Sequence, residues 1–402
     1  MNYDKIYVIG WHHIWGGVVD GVVNSLAHGF CRSGYHATTI IIKKNEVPSN
    51  LVDLLQPGPR KLVIGVTHVS LFFSIDGKYL WQLIDADFAT YFIDNPAFFA
   101  EEGLKHLLSA PEEMTFLFAD NSQKRQFKSY LLSHGRSNEC IFFPFGGNDQ
   151  FNENKNSSDE RETPKIIVFA NLGSETPQFF HTIQKSLYHF PIISNSGLPN
   201  SVKDYIINEL PAGNYDHDIF DLFSSFTAKR HLYMDKEMLH LFLATDSYLK
   251  RYRRLLSIWE LRDFNIDIYG TGWKENAGLI PPLWNLFEGV DYSRQYEIFL
   301  NADIVLNVDP VWPEGIHDRV LNAMSCGAIP LTNFNKLTPF FLDSGIDSLV
   351  YKSAQEIPQL ILSHITNLGN IKMAAHRSFS LTHHWRYRIN SLVERLNHRL
   401  CN

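Results

Sequence analysis

One short stretch gathers most of the residue types that could do chemistry. It reads ADIVLNVDPVWPEGIHDRVLNAMSCGAIPLTNF, from Ala302 to Phe334. An apolar run, Ile304 to Val308, ends in Asp309-Pro310, and the loop after it carries Glu314, Gly315, His317, Asp318 and Arg319. A short helix with Asn322, Ala323 and Met324 stops at Gly327, where a second apolar run begins. Strand, loop, helix, glycine stop and strand make one unit of a parallel sheet. The polar residues collect where the first strand ends and the helix begins. Open parallel sheets bind ligands at that edge, and a helix N-terminus offers N–H groups to an anion. If the helix starts near Asp318, Asp318 and Asn322 share one face. Arg319 supplies a forked, permanently charged donor suited to phosphate. Asn322 can donate to or accept from ribose hydroxyls. The chemistry expected is the binding of a nucleoside diphosphate; the same residues would also suit an ordinary surface helix capped by an Asp.

Two glycine loops are expected to assist. Asn171, Gly173 and Ser174 follow one strand-like run, and Gly270, Thr271 and Gly272 follow another. Glycine lets backbone N–H groups approach a phosphate closely. Lys274 lies just past the second loop, placed to neutralise a diphosphate. Nearer the N-terminus, Gly16-Gly17 follows the first strand-like run, without the G-x-G-x-x-G dinucleotide fingerprint, and Gly17 is expected to approach the diphosphate or the sugar it carries. His12, His13, His68 and Asp94 stand at or just after strand ends. Of these, Asp94 and His68 are the expected general bases if the reaction inverts configuration. The pairs Asp85-Ala-Asp87 and Asp216-His-Asp218 read as solvated loop carboxylates, so no metal and no other cofactor is expected. Lys250, Arg251, Arg253 and Arg254 make a basic cluster on a helix, suited to an anionic acceptor, to a peripheral membrane contact, or to no more than solvent.

The elements that must position these residues form two α/β patterns. Strand-like runs at Lys5–Gly10, Thr38–Ile42, Lys61–Val66, Ala89–Ile93, Thr115–Ala119 and Cys140–Phe143 alternate with helical spacing, as in Val18 to Cys31. Residues 152–163, NENKNSSDERET, form a polar linker. Domains of 1–150 and 164–402 follow, with a mostly helical region at 175–262 and an amphipathic C-terminal helix at 384–400. Ligand sites favour clefts between such domains.

At 402 residues the chain suits two domains. Its 45% apolar and 20% charged residues are those of a globular protein. The net charge of -7 speaks against a dedicated nucleic-acid binder. Cys31, Cys140, Cys326 and Cys401 lack metal-ligand spacing and read as free thiols of a reducing compartment. No apolar run approaches the roughly 18 residues of a membrane span. The expected location is the cytoplasm.

HDRVLNAMSCGAIPLTN, beginning at His317, resembles the nucleotide-sugar signature of group-1-type glycosyltransferases with the GT-B fold. The nearest flavour is the spore-maturation glycosyltransferase-like (CgeB-like) family. TYFIDNP at 90–96, IYGTGW at 268–273 and LTHHWRYRINSLVERL at 381–396 resemble further elements of that family, in the same order. The resemblance implies two Rossmann-like domains facing across a cleft, the first on the acceptor side and the second holding the donor. It implies a hexosyltransferase-type enzyme of glycan biosynthesis, whose partners are a nucleotide-diphosphate sugar and an unknown acceptor: a glycan, a lipid-linked sugar or a protein. Related retaining enzymes carry two glutamates eight positions apart. Here Glu314 fills the first position and the neutral Asn322 the second. A nucleotide-sugar epimerase and a non-catalytic nucleotide-sugar-binding scaffold share this architecture and stand as alternatives.

Overall fold

The structure is a computed structural model. It describes residues 3–12, 17–43, 51, 58, 60–67, 69–99, 107–148, 163–171, 199–209, 222–223, 236–274, 280–308 and 312–399. The chain divides into two compact units, Met1–Asp149 with Leu381–Asn402, and Gln150–Ser380.

The first unit holds a six-stranded parallel sheet. Its strands are β1 (Lys5–Trp11), β2 (Ala37–Ile42), β3 (Lys61–Val66), β6 (Asp87–Phe92), β7 (Thr115–Phe118) and β8 (Cys140–Phe142); a small hairpin, β4 (Ser74–Ile75) and β5 (Lys78–Tyr79), stands apart. The order across the sheet is β2-β1-β3-β6-β7-β8, with every pair parallel. Strands such as KLVIGV, apolar after the leading Lys61, are buried on both faces, as a parallel sheet covered by helices demands. The chain runs from β1 outward to β2 and then returns to the other side for β3. A crevice opens at such a reversal, beyond the carboxyl ends of the strands.

Helix Trp385–Arg399 belongs to this first unit, although the sequence suggested that it closed the second domain. The reason is Trp385. Its ring is buried, its Nε1–H donates to Ser25 Oγ at 2.8 Å, and it packs beside Tyr91, Phe143 and Phe145. Gly29 makes the approach feasible, since a Cβ there would lie 2.5 Å from that of Trp385. Arg395 adds an ion pair to Glu139 at 2.7 Å.

The second unit holds β9 (Ile166–Phe169), β10 (Ile266–Tyr269), β11 (Trp284–Phe287), β12 (Ile304–Asn307), β13 (Ile329–Asn333) and β14 (Leu349–Tyr351). Their order, β11-β10-β9-β12-β13-β14, is again wholly parallel. Counted within the unit, that is 3-2-1-4-5-6, the doubly wound order whose crevice lies between the first and fourth strands, here β9 and β12. Within 175–262 the described helices are Asn200–Asp204, Tyr205–Glu209 and Lys236–Trp259. The last of these carries the basic cluster, which is not a uniform charged face: Arg253 is 6% exposed and Lys250 pairs with Asp246 at 2.9 Å.

Candidate functional site

The carboxyl ends of β9 and β12 gather most of the second unit's expected site residues. Helix Asp318–Ser325 starts there, with His317 as its N-cap. Val320, Leu321, Ala323 and Met324 are buried and anchor the helix against the sheet, which leaves its first turn at the edge.

Asp318 and Asn322 do share a face, but that face is turned into the protein. Tyr292, at the start of helix Tyr292–Phe299, donates its hydroxyl to Asp318 Oδ2 at 2.5 Å and accepts from Asn322 Nδ2 at 2.8 Å. All three side chains are buried. Asn322, expected to contact a ribose, here spends an amide N–H on the Tyr292 hydroxyl. Asp318 likewise acts as an anchor. Burial raises its pKa, but the charge and hydrogen bond of His317, the Tyr292 hydroxyl and the Arg319 charge outweigh burial and hold the carboxyl at about 2. The Tyr292 hydroxyl moves well up, through burial and the Asp318 charge.

His317 Nδ1 has two neighbours that it cannot serve at once: Asp318 Oδ1 at 2.6 Å and the Arg319 N–H at 3.2 Å. Toward the first it must donate; toward the second it must accept. The contact to the carboxylate is shorter and charge-assisted, and so the stronger. Nδ1–H therefore points to Asp318, and Nε2 is the other nitrogen of this half-buried ring.

Arg319 lies across the crevice. Its Nη1 donates to Asn307 Oδ1 at 3.5 Å, and its guanidinium carbon lies 6.0 Å from the centre of the Phe169 ring. Asn307 ends β12 and Phe169 ends β9, so Arg319 spans both strands of the reversal. Asn307 is in turn fixed by donation from its Nδ2 to Thr332 Oγ1 at 3.1 Å.

The glycine loop after β10 closes onto the same edge. A Cβ on Gly270 would meet the Ala170 carbonyl oxygen at 1.9 Å, so no other residue fits there. The Thr271 N–H donates to Asn171 Oδ1 at 3.0 Å, and Trp273 Nε1–H donates to Ala170 O at 2.6 Å. Gly272 has φ of 85°, the left-handed region that glycine adopts without strain. Lys274 is exposed and already paired with Glu288 at 2.8 Å. Gly173 and Ser174 lie outside the described residues, as does His68.

Glu314 sits half-buried in a loop that Asn335 clamps. Asn335 Nδ2 donates to the carbonyls of Trp312 and Gly315 at 3.0 and 2.8 Å, and its Oδ1 accepts from the N–H groups of Leu337 and Thr338. Gly17 and Asp94 belong to the first unit. Gly17 caps helix Val18–Arg32 in the left-handed conformation, and Asp94 stands exposed after β6. The D-x-D reading changes at Asp87, which opens β6 and pairs with Arg60 at 2.9 Å; Asp216 and Asp218 lie outside the described residues.

Sequence reasoning missed Tyr292, Asn307 and Asn335. Asn307 left a signal, a polar residue closing an otherwise apolar strand. Asn335 and Tyr292 left none, because the contacts that tie them to this segment reach residues 20 to 30 positions away.

Comparison with known proteins fits this geometry. A family model described as glycosyl transferase-like matches residues 250–394. No curated protein matches the sequence. Among solved structures, the Anabaena protein Alr3699/HepE in complex with UDP and glucose aligns over 98% of this chain and 100% of its own, with TM-score 0.55 and 10% identity. Sucrose-phosphate synthase from Thermosynechococcus elongatus aligns over 99% of each chain, with TM-score 0.53 and 10% identity. A glycosyltransferase from Rickettsia africae covers 100% of each, with TM-score 0.51 and 12% identity. Residues 250–394 thus form a glycosyl transferase-like region, set in a chain of two Rossmann-like domains with the GT-B fold.

Proposed function

We propose that this protein is a cytoplasmic glycosyltransferase that moves a hexose from a nucleoside diphosphate sugar to a hydroxyl of a glycan, lipid-linked sugar or protein, without a metal. One observation carries the reading: Arg319 spans the β9–β12 crevice at the start of a helix whose first turn is locked by Tyr292 and Asp318. A fixed cation and a row of N–H groups at one edge stabilise charge that builds on a leaving diphosphate. His317 Nε2, the Thr271 loop and the Glu314 loop complete the donor side in the second unit. The first unit takes the acceptor. The order of the four motifs supports placing the chain in the spore-maturation glycosyltransferase-like family. The UDP and glucose held by the Anabaena structure make UDP-glucose the first donor to try.

The test is donor binding across UDP-, GDP-, ADP- and TDP-sugars, with and without EDTA, on wild type and Arg319→Ala. Selective binding of one donor, insensitive to EDTA and lost in the variant, supports the reading. Binding of none of them sinks it.

A further inference from the structure

Charge is unevenly placed along the chain. Helix Asn121–Ser133, NSQKRQFKSYLLS, holds Lys124, Arg125 and Lys128 and no acidic residue. Helix Trp385–Arg399 holds four arginines against the single Glu394. Both helices belong to the first unit of a chain whose net charge is -7. Arg125 and Lys128 are exposed and Lys124 is half-buried. Helical spacing puts Lys124 and Lys128 on one face, about 6 Å apart along the axis.

The two helices cover opposite faces of the same sheet. On β6, Tyr91 packs beside Trp385 and its neighbour Phe92 beside Phe127, and successive strand residues point to opposite faces. The cations nevertheless meet, at β8, the strand that closes one side of the sheet. From one face Arg395 reaches Glu139, the residue before β8, at 2.7 Å. From the other, Lys124 and Lys128 lie close enough to Cys140, which opens β8, for their charges to favour its thiolate, although burial holds the thiol up at about 12. The Lys124 ammonium is itself pushed down, first by burial and then by the charges of Arg125, Arg395 and Lys128. Glu139, the carboxylate of this group, is engaged by Arg395. Like charges so crowded repel one another, and an anion placed among them removes that cost.

We propose that the strip of Lys124, Arg125, Lys128 and Arg395 along β8 binds a linear anionic glycan, and that such a glycan is the acceptor. The acceptor role rests on the transferase reading. Three features favour a chain of carboxylates or phosphates over a flat anionic membrane. The cations come from both faces of the sheet and converge on its rim, which makes a ridge and not a plane. Leu132 is the one large apolar side chain exposed on helix Asn121–Ser133, so this helix has little to insert among lipid tails. The strip also has a direction. Its helix starts just beyond the carboxyl end of β7, so Lys124 stands in the first turns at that edge and Lys128 about one turn deeper. A chain lying along the strip brings one end to the carboxyl edge, where open parallel sheets bind ligands.

The experiment uses the full chain as wild type, Lys128→Gln, the double variant Lys124→Gln/Lys128→Gln, and Lys78→Gln as a control on the β4–β5 hairpin. Labelled alginate, dextran sulfate and neutral dextran are titrated by fluorescence anisotropy at several salt concentrations. Wild type should hold both polyanions and ignore dextran. The double variant should bind them about 10–100-fold more weakly near 0.1 M salt, and its plot of log affinity against log salt should flatten by about two, one for each lost cation. Lys128→Gln, a change at an exposed position that folding tolerates, should flatten it by about one. Lys78→Gln should match wild type. With nucleotide sugars present, label should pass to alginate oligosaccharides and not to maltooligosaccharides, and the double variant should raise the acceptor KM while keeping kcat. Equal polyanion binding by wild type and the double variant overturns the inference, as does equal transfer to neutral oligosaccharides. Phosphatidylglycerol vesicles bound in preference to both polyanions would make the strip a membrane contact and overturn it too. Self-association of the double variant with polyanion binding intact would reduce the cations to guards of an open strand edge. A wild type that holds the polyanions but binds none of UDP-, GDP-, ADP- and TDP-sugars overturns the transferase reading, and the acceptor role with it, while the anion site stands.

Discussion

The Tyr292 hydroxyl lies 2.5 Å from Asp318 Oδ2, and this contact decides which side chains of the 317–322 segment turn inward. Tyr292 takes Asp318 and Asn322 inward; His317 and Arg319 remain at the edge. Tyr292→Phe removes both hydrogen bonds and leaves a buried carboxylate and a buried amide short of partners. The expected cost is about 1–3 kcal/mol per stranded group at most, with the sum moderated by relaxation. Thermal or urea unfolding checks the stability. Calorimetric titration with UDP should show weaker binding in the same variant, because the first helical turn loses its lock.

Acid should weaken the second unit in a defined window. The carboxyl of Asp318 falls from an ordinary 3.8 to about 2 in the folded protein. A depressed folded value means that its stabilisation is complete above the unfolded pKa, and is lost as the pH drops toward 2. The contribution is on the order of 2 kcal/mol. Urea midpoints measured from pH 5 down to pH 2 should fall more steeply for wild type than for Asp318→Asn. Equal slopes would mean that the carboxylate contributes nothing to acid sensitivity.

Arg319 and Lys274 should differ sharply, although both are cations near the donor edge. Arg319→Ala is expected to weaken nucleoside diphosphate binding by roughly 10–100-fold, in line with the loss of a charge-assisted hydrogen bond. Arg319→Lys should recover only part of that, since an ammonium cannot reproduce the fork. Lys274→Ala should change little, because the ammonium is exposed and already faces Glu288. Titration with UDP and GDP reads all three.

Gly270→Ala should be poorly tolerated. A methyl group there meets a backbone oxygen at 1.9 Å, and backbone yields less readily than a flexible side chain. Overpacking of this kind costs about 1–3 kcal/mol or more. The melting temperature should drop, and nucleotide binding should weaken with it, since the displaced loop carries Thr271 and Gly272. By contrast, the new methyl of Gly58→Ala meets nothing within 4 Å among the described residues and should leave both unchanged.

The strands were the most legible part of the chain. KIYVIG, KLVIGV and IDIY are short, mostly apolar runs ending at glycine or followed by a polar residue or glycine, and each lies within one strand of the parallel sheets. Trp284–Phe287 escaped notice because WNLF alternates, with only Trp284 fully buried at the sheet margin. The segment around Arg319 was legible because strand end, loop and helix start are consecutive in sequence. The inward turn of Asp318 and Asn322 was not, since it depends on a tyrosine 26 and 30 positions away. His12 was visible as a histidine at a strand end, yet Asp20 was hidden in an ordinary helical pattern. Only folding brings the two within 2.7 Å.

Helix Trp385–Arg399 packs with strands made from the first 149 residues, while the residues between build a sheet of their own. During synthesis this reverses the usual order of completion. The second unit is continuous in the chain and can close as soon as residue 380 has left the ribosome. The first unit, though begun earlier, must wait with Ser25 and Gly29 uncovered until Trp385 arrives. Premature termination shortly before residue 381 would therefore harm the portion made first. A chaperone acting on the nascent chain has most to shield near its beginning.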